Sequence, residues 1–206
     1  MGELTAAMLA DAISFEDGLI LAREWALLMQ SHSNQLDGCM AIAHLSADIL
    51  ESLISDHSTD DWRRVWISTY NTWDSHSLSA ERPVMESFIN HVKAVKPEAE
   101  IIMLPVSVAS HCYIVEEAVP KYWEMLEQRI REPKIPILSG ALWTEDNGVV
   151  KVTTKEDLIT SLADGLIKPV RFWQCVEHCV KEGVDDFVEA SARGSFIKLI
   201  KEIVYP

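Results

Sequence analysis

Apolar positions along the chain fall into short blocks whose spacing switches between helical and strand-like. Ala6 to Ala12 reads as a short apolar helix. Ser14-Phe15-Glu16-Asp17 opens a second one, in which Leu19, Ala22, Ala26 and Met29 recur three or four residues apart. Ser14 followed three residues later by Asp17 has the spacing of a capping box. The polar run Ser31 to Gly38 is expected to end this block. Cys39 to Leu45 is a strand candidate, and Ser46-Ala47-Asp48 caps a helix carrying Ile49, Leu50, Leu53 and Ile54. Val65 to Tyr70 is rich in β-formers, Asn71 to Ser75 has turn chemistry, and His76 to Ala80 supplies the hairpin return. Pro83 starts a helix through Met85, Phe88, Ile89, Val92 and Val95, and Ala99 to Leu104 closes as a strand. The order β-α-β-β-α-β is the split pattern of a ferredoxin-like module.

From residue 108 onward the pattern again alternates. Val115 to Ile130 is amphipathic, Pro133 to Gly140 is a strand bracketed by prolines, and Asp146-Asn147-Gly148 is a strong turn. Helices are expected over Lys155 to Ile167, Phe172 to Glu182 and Ser195 to Val204, with a strand over Val184 to Ala190. Such alternation suggests an α/β layer with parallel pairing. The organisation expected is an α/β core in two pieces, residues 1–37 and 108–206, interrupted by a ferredoxin-like subdomain over 38–107.

Composition narrows the function classes. The 206 residues are 48% hydrophobic and 24% charged, which suits a folded domain and excludes a low-complexity chain. A net charge of −14 argues against nucleic acid, because phosphate neutralisation needs clustered Lys and Arg, and against an anionic membrane surface. No apolar run reaches the roughly 18–20 residues that span a bilayer. The first residues lack the basic n-region of a signal peptide, so a cytoplasmic location is expected. Cys175 and Cys179 share a helix face around His178, but no further ligands stand at a metal-site spacing. All four cysteines therefore read as reduced core thiols, with no metal and no cofactor.

Three segments carry a family resemblance. Met1-Gly2-Glu3-Leu4-Thr5-Ala6-Ala7, continued by Gly18 to Trp25 and Leu28-Met29-Gln30, is similar to the stretch after the nucleophilic serine of G-H-S-x-G-E in malonyl-CoA:acyl-carrier-protein transacylases and polyketide synthase acyltransferases. Leu104-Pro105-Val106-Ser107-Val108-Ala109-Ser110-His111-Cys112 resembles the segment that carries the catalytic histidine. Leu166 to Phe172, then Gly183 to Glu189, resembles the closing helix and strand. The resemblance implies an α/β-hydrolase-like core, incomplete at its N-terminus, with the ferredoxin-like insert. It implies ping-pong transfer of an acyl group from acyl-CoA to the phosphopantetheine thiol of an acyl carrier protein.

On that alignment His111 is the base, the backbone of Met1 faces the oxyanion, and the carbonyl of Gly165 orients the histidine. Gly165 also reads as a helix cap. Asn71 contacts substrate, although Trp73 replaces the proline of the family's N-x-P turn. Trp25 stands where malonyl-using members have an arginine, and an indole cannot pair a carboxylate. Arg23, about 200° away round the helix, should face elsewhere. The serine would immediately precede Met1, so the alignment suggests a chain truncated just after its nucleophile and inactive as given. Ser31-His32-Ser33 and Ser75-His76-Ser77 superficially resemble G-H-S but lack its glycines and read as polar turns. Arg129, Arg131, Lys134, Lys168 and Arg171 are candidates for a positive rim facing an acidic carrier. A thioester hydrolase on the same scaffold, or a non-catalytic carrier-binding protein, are the alternatives.

Overall fold

The computed structural model describes residues 2–55, 64–144, 148–191 and 194–205. Helix α1 spans Gly2–Leu9 and α2 spans Phe15–Gln35. Ser14 caps α2, though not as a full capping box: the Asp17 amide donates to Ser14 Oγ at 3.0 Å, and the Asp17 carboxylate accepts from the Ser14 hydroxyl at 2.7 Å. Contrary to the sequence reading, α2 does not stop at Ser31. Its last polar turns are used in tertiary contact, where Ser33 is buried and its Oγ accepts from the Ala109 amide at 2.8 Å. Gly38 is needed beside them, since a Cβ there would lie 2.1 Å from Ser33 Oγ and 2.9 Å from Ala109 Cβ.

The middle of the chain builds one antiparallel sheet from β1 (Gly38–His44), β2 (Trp66–Tyr70), β3 (Ser75–Glu81) and β4 (Glu100–Met103), in the order β2-β3-β1-β4. With α3 (Ala47–Ser55) and α4 (Arg82–Val95) this is the ferredoxin-like βαββαβ arrangement. Its alternating inward residues Ala41, Ala43, Leu78 and Ala80 pack with Leu50, Met85, Phe88 and Val92 in a core of their own.

The second core joins α1 and α2 to the C-terminal half through Leu4, Ile13, Leu21, Met29, Tyr122, Leu126, Leu158 and Leu166. Here several expectations are corrected. Val115–Ile130 is not one helix: a 3₁₀ segment, Tyr113–Ala118, with non-helical Val115, precedes α5 (Val119–Glu127), because Pro120 can start a helix but not continue one. Strand β5 is Ile137–Thr144, displaced past Pro136, and pairs antiparallel with β6 (Gly148–Val152). Only three residues separate these strands, a length that allows a hairpin and forbids a parallel crossover. The Asp146-Asn147 part of the turn lies outside the described residues.

Helices α6 (Lys155–Asp164), α7 (Phe172–Lys181) and α8 (Phe196–Val204) follow. Val184–Ala190 forms no strand; Gly183 at φ +87 turns the chain outward, and Val188 is 93% exposed with no ladder to join. Among the described residues, ladders between strands are all antiparallel, and parallel pairing is confined to an isolated bridge between Thr69 and Val170. That bridge ties the ferredoxin-like sheet to the lead-in of α7 through Tyr70 N–H to Val170 O (2.8 Å) and Val170 N–H to Ser68 O (2.9 Å). No helix among the described residues is long and apolar enough to cross a membrane.

The two Ser-His-Ser tripeptides are not turns. Ser31-His32-Ser33 lies inside α2, and Ser75-His76-Ser77 lies on β3. His76 is fully buried, edge-on to Tyr70 at 5.2 Å between ring centroids, and among the described residues neither ring nitrogen has a hydrogen-bond partner. Burial pushes its pKa down to about 4, partly opposed by Asp74. The unfolded chain therefore binds this proton more readily, so the stability linked to His76 is full above about pH 6.5 and declines as pH falls toward 4. His76→Phe removes two unpaired polar atoms in a similar shape. It is expected to raise the melting temperature at pH 7 and to flatten the loss of stability between pH 7 and 5, measured by thermal unfolding across that range.

Candidate active site

His111 sits in the loop after β4, at the junction of the two cores. The loop is pinned along its length: Leu104 N–H donates to Met40 O at 2.9 Å, Ala109 N–H to Ser33 Oγ, and Ser79 Oγ to Ser110 O at 2.8 Å. Gln30 Nε2 adds a contact to Ser107 O at 3.3 Å. Held at both ends, His111 takes φ +57, in the left-handed region that only a few per cent of residues other than glycine enter, His, Asn and Asp more often than the rest. Such conformations persist only where the surroundings over-determine them.

The ring is fixed as tightly as the backbone. His111 Nδ1 lies 2.5 Å from the carbonyl oxygen of Gly165, the residue that ends α6. A carbonyl only accepts, so Nδ1 carries the hydrogen and Nε2 is the free basic nitrogen. The C-terminal end of a helix is a favourable place for such a donor, because its last carbonyls carry the negative end of the dipole. Burial pushes the His111 pKa down to about 4, and the Gly165 carbonyl partly offsets this. The ring is therefore neutral at physiological pH, as a proton acceptor must be. Gly165 is the C-cap of α6, and its carbonyl faces the His111 ring. It has no left-handed strain of its own, at φ −58.

His111 and Gly165 line a cavity of about 690 Å³ together with Trp25 and Asn71. Trp25, half-buried, packs against the larger core from α2. Asn71 is held in the β2–β3 turn by its Nδ2 on Ser77 Oγ (3.3 Å) and by its amide on Ser75 O (3.0 Å). Met1 lies outside the described residues, and its neighbour Gly2 is on the cavity wall. Arg23 points outward with its side chain 72% exposed and paired with Glu24.

Of the expected positive rim, Arg129 faces Asp17, Lys134 pairs with Asp11 and Lys168 with Asp164, so these three are spoken for by acids of the same chain. The guanidinium of Arg171 is stacked between the rings of Tyr70 and Trp143, at 4.8 and 4.7 Å from their centroids.

Several wall residues have no counterpart in the sequence reading. Glu3 is the carboxylate on the wall, and burial raises its pKa even though Ser161 and Ser139 favour its charged form. In the sequence it stands in the Met1-Gly2-Glu3 stretch that resembles the end of G-H-S-x-G-E, and that resemblance gave it no place on a cavity wall. Cys175 and Cys179 were expected in the core and are instead half-buried on the cavity wall. Burial pushes the Cys175 thiol up to about 12, so it is not a nucleophile at neutral pH. No serine lines the cavity among the described residues.

A mainly helical core with the β5–β6 hairpin, a ferredoxin-like subdomain and a carbonyl-held histidine at their junction mark an α/β protein with the acyltransferase fold. By sequence and by fold the chain is similar to the malonyl CoA-acyl carrier protein transacylases. It is 27% identical over 205 residues to a Bacillus subtilis protein of that name, a match covering 98% of this chain and 49% of the relative. The solved structure of the Helicobacter pylori malonyl-CoA:acyl carrier protein transacylase superposes with a TM-score of 0.86 at 26% identity, covering 98% of this chain and 62% of that one. A type II polyketide synthase malonyl-transacylase, solved with its acyl-carrier protein, gives a TM-score of 0.85 at 23% identity, over 98% of this chain and 63% of that one. The chain thus spans between half and two thirds of the length of these relatives. No protein-family model matches the chain.

Proposed function

We propose that this chain carries the histidine half of an acyltransferase site of fatty-acid or polyketide synthesis, moving an acyl group from CoA to the phosphopantetheine thiol of an acyl carrier protein. Residues 1–37 and 108–206 form its core in two pieces, with 38–107 as the subdomain that closes one wall of the cleft. The observation that carries this reading is the Nδ1–Gly165 contact on a half-buried His111 with left-handed backbone, lining the cavity. In the reaction a serine attacks the thioester carbonyl while Nε2 of His111 takes its proton, and CoA leaves as the thiol. The carrier's thiol then attacks the acyl-serine ester, its proton passing through the same nitrogen, and the serine is regenerated. Backbone N–H groups near Met1 stabilise the oxyanion, and Asn71 contacts the acyl donor.

The sequence contains no Gly-His-Ser, and among the described residues no serine lines the cavity. The nucleophile is therefore expected from outside the described residues, and the 206-residue chain alone is not expected to form an acyl-enzyme. Intact-mass measurement after incubation with acetyl-CoA or malonyl-CoA checks this, and a stable acyl adduct on the chain would overturn it. Free thiols at Cys39, Cys112, Cys175 and Cys179, and donors that are CoA thioesters, fit a cytoplasmic setting with no cofactor beyond the substrates.

One observation favours a second reading. Among the described residues no Lys or Arg lines the cavity, which suits removal of uncharged acyl groups from carriers better than malonyl loading. Assaying acyl-carrier hydrolysis against transfer to a fresh carrier separates the two enzymes. Carrier binding without either reaction would mark a docking protein.

A further inference from the structure

A continuous line of hydrogen bonds runs from Glu3 to His111, across three elements that are far apart in sequence. Ser139 Oγ, on β5, accepts from the amides of Ala141 at 3.1 Å and Leu142 at 2.8 Å. Those two bonds occupy its acceptor capacity, so its own proton goes to Ser161 Oγ, 2.5 Å away. Ser161 Oγ has one proton left to give, and it gives it to the carboxylate of Glu3 on α1. Both hydroxyls are buried, with 1% and 0% exposure, so water does not compete for these bonds. The same Ser161 accepts, at its backbone oxygen, the amide of Gly165 at 2.9 Å. The carbonyl of Gly165 in turn accepts from His111 Nδ1.

From this geometry we propose that Glu3 is a positioning residue for His111, acting through Ser161 on the last turn of α6 and so on the Gly165 carbonyl. The line has a direction: every hydroxyl proton points toward Glu3, and only an acceptor at the Glu3 position completes it. With that acceptor in place Ser161 is anchored from the α1 side, and the residue four positions on presents its carbonyl to the ring. Without it Ser161 has no second acceptor, since Ser139 is already saturated. The last turn of α6 is then free to rotate its carbonyl away. The ring loses its reason to keep the hydrogen on Nδ1.

What His111 does with its free Nε2 rests on the proposed acyl-transfer role, but the positioning itself does not, so it is tested on the ring rather than on turnover. The 206-residue chain is labelled with ¹⁵N-histidine, and the His111 ring nitrogens are assigned by their loss in His111→Gln. The unmodified chain is expected to show the Nδ1–H tautomer. Ser161→Ala and Glu3→Ala are expected to give a mixture with Nε2–H and faster exchange of the Gly165 amide. Glu3→Gln, which keeps an acceptor oxygen, is expected to restore the Nδ1–H form. If Glu3→Ala does not fold, Ser161→Ala and Glu3→Gln still decide the matter. An unchanged tautomer in folded Ser161→Ala overturns the proposal, and so does a Glu3→Gln chain that behaves like Ser161→Ala. Loss of the tautomer in these variants, with no transfer by a form of the protein that contains the serine nucleophile, would leave the positioning standing and remove the proposed function. Transfer activity with an unmoved tautomer would do the reverse.

Discussion

His111→Ala is expected to lower kcat/KM for acyl transfer by about four to six orders of magnitude in a form of the protein that contains the serine nucleophile, as losing one member of a nucleophile–base pair does. The side chain makes no large contribution to either core, so the variant should fold, and a melting temperature close to that of the parent separates chemistry from stability. The pH profile carries the sharper test. Burial holds the ring pKa at about 4, far below the ordinary histidine value of about 6.5. The basic, neutral form is the active one, so kcat/KM should stay flat as pH falls from 7 toward 5 and drop only through about pH 4. An acid limb near pH 6.5 would mean that the ring is solvated in the working enzyme. Near-normal transfer by His111→Ala would remove the base assignment altogether.

The parts of this fold legible in the sequence are those whose signal is local. The β-α-β-β-α-β order could be read because short β-forming runs alternate with helical spacing and each helix has its own start signal, Ser46 before α3 and Pro83 in α4. The errors fell where a tertiary partner decides. Ser31 to Gln35 is polar yet helical, because Ser33 is buried against the histidine loop. Val184 to Ala190 has strand composition but no ladder among the described residues, and composition cannot supply one. The parallel sheet expected from helix–strand alternation reduces to the Thr69–Val170 bridge, since β5 and β6 are too close in sequence to pair any other way.

The site divides along the same line. The resemblance pointed to His111, Gly165, Trp25 and Asn71, and all four line the cavity, from a loop, a helix end, a long helix and a hairpin turn. No spacing rule could have linked residues 25, 71, 111 and 165 without it. Glu3 and Ser161 escaped notice because a buried hydrogen-bond line has no sequence period: its members are 22 and 158 residues apart. The left-handed backbone of His111 was equally invisible, as it comes from loop anchors on β3 and α2.

Donor preference follows from the same wall. Trp25 presents an indole to the cavity where a malonyl-using site needs a cation, and Arg23 points outward on the opposite side of α2, already paired with Glu24. Among the described residues Glu3 is the charged side chain on the wall, and its sign is wrong for a malonyl carboxylate. Leaving a buried carboxylate unpaired costs about 3–5 kcal/mol, or roughly two to four powers of ten in relative rate. In a transferring form of the protein, acetyl-CoA is therefore expected to outcompete malonyl-CoA by about a hundredfold or more in kcat/KM. Trp25→Arg supplies a planar fork that can grip both carboxylate oxygens. It should move the preference back toward malonyl-CoA by at least about tenfold, while the acetyl rate falls little, because that donor presents nothing for the arginine to hold. Competition between the two donors, read by the mass of the acylated carrier, measures both effects in one reaction. A strong malonyl preference in the unmodified enzyme would require a cation from outside the described residues and would end the assignment of Trp25. An unchanged preference in a folded Trp25→Arg enzyme would place the acyl group elsewhere in the 690 Å³ cavity, away from α2.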